Sequence, residues 1–350
     1  MRAVQYSAFG GSLALVDLPD PSAPPGAAVL RVEAAGLCRS DWHGWLGHDP
    51  DVRLPHVPGH ELAGVVLSVG EGVPDSLVGQ RVTTPFVCGC GSCRWCLQGD
   101  PQVCPDQTQP GFTHDGAFAE QVVLHAAALN LVPLPEDMSF ATAAALGCRF
   151  ATAYRAVAQQ GRPSPGAWVA VHGCGGVGLS AVLVALGLGA RVVAVDVAEG
   201  ALALAGQLGA EATLDARTAG SPAAVGDAVR ELTGGGAAVS VDALGALSTS
   251  TASVHSLRRR GRHVQVGLLP PELGRPGWPV ERVIGWELEL LGSHGMAAHH
   301  YPEMLAAVQS GAMPADSLVA QSISLSEVVH ALPAMSTASP VGITVVEPQH

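Results

Sequence analysis

The stretch from Trp168 to Asp196 restricts the fold more than any other. Trp168-Val169-Ala170-Val171-His172 reads as a buried strand, and it passes directly into Gly173-Cys174-Gly175-Gly176-Val177-Gly178. Leu179 to Leu186 reads as the helix that follows, and Arg191-Val192-Val193-Ala194-Val195-Asp196 as a second strand closed by an acid. A G-x-G-x-x-G pattern alone is a weak signal. Between a strand and a helix, with an acid ending the next strand about 20 residues on, it has a definite physical use. The glycines let a pyrophosphate approach the backbone at a helix N-terminus, and the acid accepts hydrogen bonds from an adenosine ribose. Gly173, Gly175, Gly176, Val177, Gly178 and Asp196 are therefore candidate cofactor contacts. No Arg follows Asp196 until Arg217, and a 2′-phosphate beside an unpaired carboxylate would be repelled, so NAD is expected over NADP. The bland alternative is a Gly-rich turn in an α/β domain that binds no nucleotide.

Strands at Val239–Asp242 and His263–Gly267 and a last one from Leu290 fit the second half of a doubly wound sheet. The N-terminal part has a different grammar. Met1–Gln5, Ala28–Glu33, Gly64–Gly70 and Gln80–Thr83 are alternating segments separated by turn-rich stretches, which predicts an irregular antiparallel β-barrel. The tail from Tyr301 to Val346 reads as helix, loop and strand.

Length and charge narrow the function. A chain of 350 residues is long enough for two cores, and a formal net charge of −12 argues against a nucleic-acid or anionic-membrane surface. All 18 basic side chains are Arg, which excludes Schiff-base and lysine-base chemistry. No apolar stretch reaches the roughly 20 residues that span a bilayer, and no charged segment followed by an apolar run opens the chain, so a cytoplasmic protein is expected. In a reducing compartment the eight cysteines read as metal ligands rather than disulfides.

Two cysteine groupings follow. Cys38 and His60 lie one short loop apart, a thiolate and an imidazole that suit Zn²⁺, and Cys148 is a candidate third ligand. Three protein ligands leave a fourth position for substrate. Cys90, Cys93, Cys96 and Cys104 have the spacing C-x2-C-x2-C-x7-C, a set able to close around a structural zinc; a register that uses Cys88 in place of Cys90 remains open. Cys148 falls at Gly147-Cys148, with Ala-rich helical sequence on both sides, and is expected where a helix ends or restarts.

Gly59-His60-Glu61, Gly64 and Gly70 together resemble the signature of the zinc-containing medium-chain alcohol dehydrogenases, and the resemblance extends over nearly the whole chain. It implies a Rossmann NAD-binding domain at 150–294 and a GroES-like catalytic domain made of 1–149 and 295–350, so that the catalytic domain is discontinuous. It implies two zinc ions per chain, with Cys38, His60 and Cys148 at the catalytic one. By the same resemblance Ser40 receives the substrate proton and passes it through the nicotinamide ribose to His43, Asp41 orients His60, Glu61 stands near the zinc, and Arg39 binds pyrophosphate. Gly267, Leu268 and Ser293 add to the cofactor contacts. Phe86 resembles a pocket-wall aromatic, and Trp42, Trp286 and His294, with Leu268, are further candidates for an apolar wall.

The implied reaction is reversible hydride transfer between a primary or secondary alcohol and NAD. A polyol or amino-alcohol substrate is the alternative, as is a non-redox zinc- and nucleotide-binding protein. Cys148 resembles the alcohol dehydrogenases more than the polyol enzymes, where Glu often stands at that place. A small-molecule substrate and a homo-oligomer, dimer or tetramer, are the expected partners.

Overall fold

The structure, a computed structural model, describes residues 1–269, 274–337 and 341–350. It comprises two compact units, the first made of Met1–Ala151, Gly295–Ala306 and Ala315–His350, the second of Thr152–His294 and Ala307–Pro314. Residues 307–314 thus depart from the division implied by the sequence. Met313 accounts for this: it is buried, and its side chain lies so close to Gly187 that a Cβ there would meet it at 2.5 Å.

In chain order the first unit contributes β1 (Arg2–Tyr6), β2 (Leu13–Asp17), β3 (Ala28–Leu37), β4 (Glu61–Val69), β5 (Arg81–Thr83), β6 (Gln121–Leu124) and β7 (Val132–Pro133). The second contributes β8 (Trp168–His172), β9 (Arg191–Asp196), β10 (Ala212–Asp215), β11 (Ala237–Asp242), β12 (Leu257–Gln265) and β13 (Glu289–Gly292). The chain then returns to the first unit with β14 (Val319–Ser324) and β15 (Ile343–Glu347).

In the first unit the sheet order is β14-β15-β3-β4-β5-β7, with β6 also on β3. Its core gathers Leu30, Leu37, Leu62, Phe118, Val122 and Leu124. The antiparallel β3–β4 ladder sets Gly36 opposite Glu61. Since β3 ends at Leu37 and β4 begins at Glu61, Cys38 and His60, one residue beyond those ends, emerge side by side.

The second unit is a six-stranded parallel sheet in the order β10-β9-β8-β11-β12-β13. The order reverses beside β8, the place where such sheets bind ligands beyond the strands' carboxyl ends. Strand β9 is a nearly continuous apolar run because helices cover both faces of a parallel sheet. The helix Gly176–Gly187 is buried from Gly178 through Ala185, as its uniformly apolar sequence requires.

One local expectation is corrected. The chain does not leave the helix at Cys148; Phe140–Ala145 continues into a wider π-helical turn, Leu146–Phe150, and then into Ala151–Tyr154. Such single-turn widenings redirect side chains without ending a helix. The buried Tyr301 hydroxyl donates to the Gly147 carbonyl at 3.0 Å and anchors the turn.

Two histidines of the second unit are buried and neutral. His263 donates from Nε2 to Gln265 Oε1 at 3.2 Å and accepts at Nδ1 from the Ser253 hydroxyl at 2.8 Å; His172 donates to Ser256 Oγ at 2.9 Å. Burial pushes His172 down to about 3 and His263 down to about 4. Unfolded, both would titrate near 6.5. Between those values the unfolded chain binds two protons that the folded one refuses. Their contribution is therefore complete above pH ~6.5 and is lost as pH falls toward ~4, by about 2.7 kcal/mol per pH unit for the pair. Urea midpoints are expected to fall steeply over this range, and His172→Gln should remove about half of this part of the slope; an unaltered pH profile in the variant would contradict the assignment.

Candidate active site and metal centres

Helix α1 (Arg39–Trp45) begins at Cys38, and its first turn holds the acid that organises the site. Asp41 accepts from the Cys38 amide through Oδ2 at 2.9 Å, and through Oδ1 from His60 Nδ1 at 2.7 Å and the Gly59 amide at 3.2 Å. A carboxylate at this distance only accepts, so His60 carries a proton on Nδ1, and Nε2 is the nitrogen a metal would take; against the cost of burial, Asp41 and Cys38 hold the imidazole well above its usual range. That Nε2 is buried and has no hydrogen-bond partner. The ligand atoms of Cys38, His60, Glu61 and Cys148 all lie within 4.8 Å of one another, and all four residues are buried. The Cys148 thiol hydrogen bond, aided by Arg149 and His60 against the cost of burial, holds Cys38 well below the usual thiol range. A thiolate, an imidazole lone pair and a second sulfur are the donors that zinc takes.

Asp41→Asn would place an amide where two donors already converge, since one of the acceptor oxygens becomes an NH₂ group. Zinc affinity is expected to fall about 10–100-fold, as for other carboxylates that orient metal-bound imidazoles, and competition with a chromogenic chelator measures it.

Glu61 is less free than a residue that swings to a metal. Its Oε1 accepts from the Arg149 amide and Nε, both at 2.9 Å, and its Oε2 from Arg149 Nη2. Burial pushes the Glu61 carboxyl up and Arg149 pulls it back, while the carboxylate in turn holds the guanidinium above its ordinary value. Sequence reasoning missed Arg149; the available signal was a lone Arg inside an apolar helical run, beside Cys148. It also missed Gly36, where a Cβ would strike Glu61 Oε2 at 2.1 Å, and Phe112, whose ring centroid lies 5.1 Å from that of His60. Phe86 meets the same imidazole edge-on at 6.0 Å.

The other candidates are more dispersed. Ser40 is half-buried with Oγ 3.8 Å from Cys38 Sγ, and His43 is exposed. Arg39 donates to the Met335 carbonyl and lies 4.0 Å over the Trp42 ring, whose Nε1 donates to Ser336 Oγ at 2.9 Å. Both side chains are thus engaged by the first unit itself. His294 is exposed just past β13. Trp286 lies in the second unit beside three guanidinium groups. Its ring packs with Val254, Leu257 and Leu288 and is flanked by Arg230, Arg259 and Arg282 at 4.4, 5.1 and 4.6 Å.

Cys90, Cys93, Cys96 and Cys104 form the second cluster, their sulfurs within 4.8 Å of one another. Cys93 lies 3.6 Å from both Cys96 and Cys104, and Cys90 4.0 Å from Cys96. Tetrahedral bonds of about 2.3 Å put sulfurs roughly 3.8 Å apart. Cys88 is instead committed elsewhere: its thiol bonds Thr84 Oγ1 and the Pro85 carbonyl, and burial pushes it up to about 11.

In the second unit, Gly173 (φ +90°) turns the chain from β8 into the helix Gly176–Gly187. A Cβ at Gly178 would lie 1.7 Å from the Gly173 carbonyl, so only glycine lets helix and turn pack this closely. A Cβ at Gly175 would meet nothing within 4 Å, which leaves the helix N-terminus open to a phosphate beside half-buried Gly176 and Val177. Asp196 already latches the loop, accepting from the Cys174 amide at 2.6 Å and from the Val197 and Ala198 amides at 2.7 and 2.8 Å. Gly267 backs onto Gly245, Leu268 is 77% exposed, and the Ser293 hydroxyl is buried beside the β12–β13 ends.

Comparison with known proteins now bears on this geometry. Residues 24–136 match the family model of the alcohol dehydrogenase GroES-like domain, and residues 176–310 that of zinc-binding dehydrogenases. An alcohol dehydrogenase of Geobacillus stearothermophilus is 36% identical over 278 residues, 79% of this chain and 80% of its own.

The chain belongs to the zinc-containing medium-chain alcohol dehydrogenase family. Solved structures are similar along its length. A protein of E. coli CFT073 described as a short chain alcohol dehydrogenase and complexed with NADH has a TM-score of 0.88 at 26% identity, covering 99% of both chains. A cobalt- and zinc-bound alcohol dehydrogenase of Pyrobaculum aerophilum has 0.84 at 28%, also covering 99% of both. A GroES-like domain joined to a Rossmann-like parallel sheet is the architecture of this family. Among the described residues no helix is long and apolar enough to cross a membrane.

Proposed function

We propose that this family member is an NAD-dependent alcohol dehydrogenase that interconverts a small or medium alcohol with its aldehyde or ketone, with Cys38, His60 and Cys148 holding a catalytic zinc. The observation that carries this reading is the buried, partnerless His60 Nε2 set among two cysteine sulfurs. Cys90, Cys93, Cys96 and Cys104 hold a second, structural zinc. When bound, the catalytic zinc acts as a Lewis acid toward the substrate oxygen and the nicotinamide exchanges hydride with the substrate carbon.

The rest falls to the chain's own side chains. Asp41 holds the His60 proton on Nδ1, so that Nε2 is the nitrogen given to the metal. Glu61, clamped by Arg149, supplies negative charge beside two sulfurs without reaching out of its ion pair. The Ser40 hydroxyl, half-buried beside Cys38, takes the substrate proton at Oγ and relays it toward His43, whose exposed imidazole releases it to water. Phe86 and Phe112, in contact with the His60 ring, keep water from the ligand sphere and favour an apolar substrate. At the Gly173–Gly178 turn the open helix N-terminus receives pyrophosphate, and Asp196 selects a ribose with free hydroxyls. The active form is a cytoplasmic homo-oligomer.

Elemental analysis should give two zinc ions per chain, and a panel of primary, secondary and polyhydric alcohols should support reduction of NAD in preference to NADP. A folded, active enzyme with one zinc or none would overturn the assignment.

A further inference from the structure

Helix α1 ends in a turn that the proposed chemistry uses only in part. Leu46 caps the helix, Gly47 has φ +79°, the Gly47 amide donates to the Gly44 carbonyl at 3.0 Å, and the His48 amide donates to the His43 carbonyl at 3.0 Å. These paired bonds are those of a helix that closes through a left-handed glycine, and they fold the residue after the glycine back over the one five positions earlier. Gly47 is held to glycine twice over, by its φ and by the Phe9 ring, which a Cβ would meet at 2.8 Å.

The two residues so superposed are both histidines. Their Nδ1 atoms lie 2.9 Å apart, their ring centroids 5.2 Å apart, and both rings are exposed. Partial desolvation of an otherwise exposed ring, with His48 and Arg39 adding to it, holds His43 below the usual imidazole range, so its own lone pair is available at neutral pH. Nitrogens bound at 2.0–2.1 Å to a tetrahedral zinc stand about 3.3 Å apart, so the rings need part by only a few tenths of an ångström. As the rings stand, one Nδ1 donates to the other; a cation that takes the place of that proton, with each ring protonated on Nε2, would be held by both Nδ1 atoms. Exposure leaves the remaining coordination positions to water. Arg39, whose charge bears on His43, is drawn off by its bond to the Met335 carbonyl and its stack on Trp42.

We propose that His43 and His48 form a further metal site, a surface bis-imidazole chelate for a borderline divalent cation such as Zn²⁺, Ni²⁺ or Cu²⁺, and that filling it inhibits the enzyme. A ring ligated at Nδ1 and protonated at Nε2 takes up no further proton, so the cation removes His43 from the proton path. The inhibition rests on the relay role given to His43 above; the chelate does not.

Trp42 supplies a reporter, since its ring centroid lies 4.9 Å from His43 and 6.0 Å from His48. Ni²⁺ titrated into the zinc-loaded enzyme should quench tryptophan emission saturably and inhibit alcohol oxidation over the same concentration range. His48→Gln should weaken quenching and inhibition together by on the order of tenfold or more, whereas His125→Gln, which alters a half-buried imidazole pair with His114, should change neither. Equal Ni²⁺ affinity in wild type and His48→Gln, or binding lost in His125→Gln instead, would overturn the site. Quenching that depends on His48 but brings no inhibition would support the chelate and sink the assignment of His43 to proton transfer.

Discussion

Cys148→Ala is expected to lower kcat/KM for alcohol oxidation by about 10³-fold or more and to remove one zinc per chain. The substitution deletes one of three sulfur or nitrogen donors from a buried cluster and leaves His60 Nε2 and Cys38 with no closed ligand set. Lewis-acid stabilisation of an oxygen is worth several kcal/mol, and each 1.36 kcal/mol is a factor of ten in rate. The fold should survive, because Cys148 sits in a helical turn otherwise held by Phe150 packing and by the Tyr301–Gly147 bond. NAD binding, which depends on the Gly173 turn in the other unit, should be retained and separates loss of metal from loss of structure. Full activity in a variant that has lost a zinc would mean that the cation is not the Lewis acid.

The second large effect concerns stability. Arg149→Met leaves the Glu61 carboxylate, 0% exposed, without its cation, and breaking one side of a buried ion pair typically costs about 3–5 kcal/mol. For a unit of this size the thermal midpoint should fall by roughly 10 °C. Glu61→Gln in the same background removes the stranded charge and should recover a good part of the loss, since residues in one network do not act additively. If the single and double variants melt alike, the pair is not what holds the Cys148 turn against β4.

What could be read from the sequence was what lies close together in it. The strand, glycine turn, helix and acid from Trp168 to Asp196 form one continuous local pattern, and the tetracysteine set is local too. Cys148 came from resemblance, because nothing in its neighbourhood says that β4 will pack against it. The same gap hid Arg149, which meets Glu61 across 88 residues. The π-helical turn was illegible because an Ala-rich run has one apolar pattern whether a turn is regular or widened. The surroundings of Trp286 were hidden for a related reason: Arg230, Arg259 and Arg282, which flank its ring, come from three separate elements.

The β3–β4 ladder carries two irregularities, between Val29 and Leu30 and between Val32 and Ala34, before it reaches Gly36 and Glu61. A slip of one residue along that ladder would carry Cys38 about 3.4 Å from His60 and turn its neighbours to the opposite face. Metal–ligand distances tolerate only about 0.2 Å. With Cys38 and His60 holding the proposed zinc, uptake of the ion would proofread strand pairing: a chain zipped one residue out of step would not close the coordination sphere.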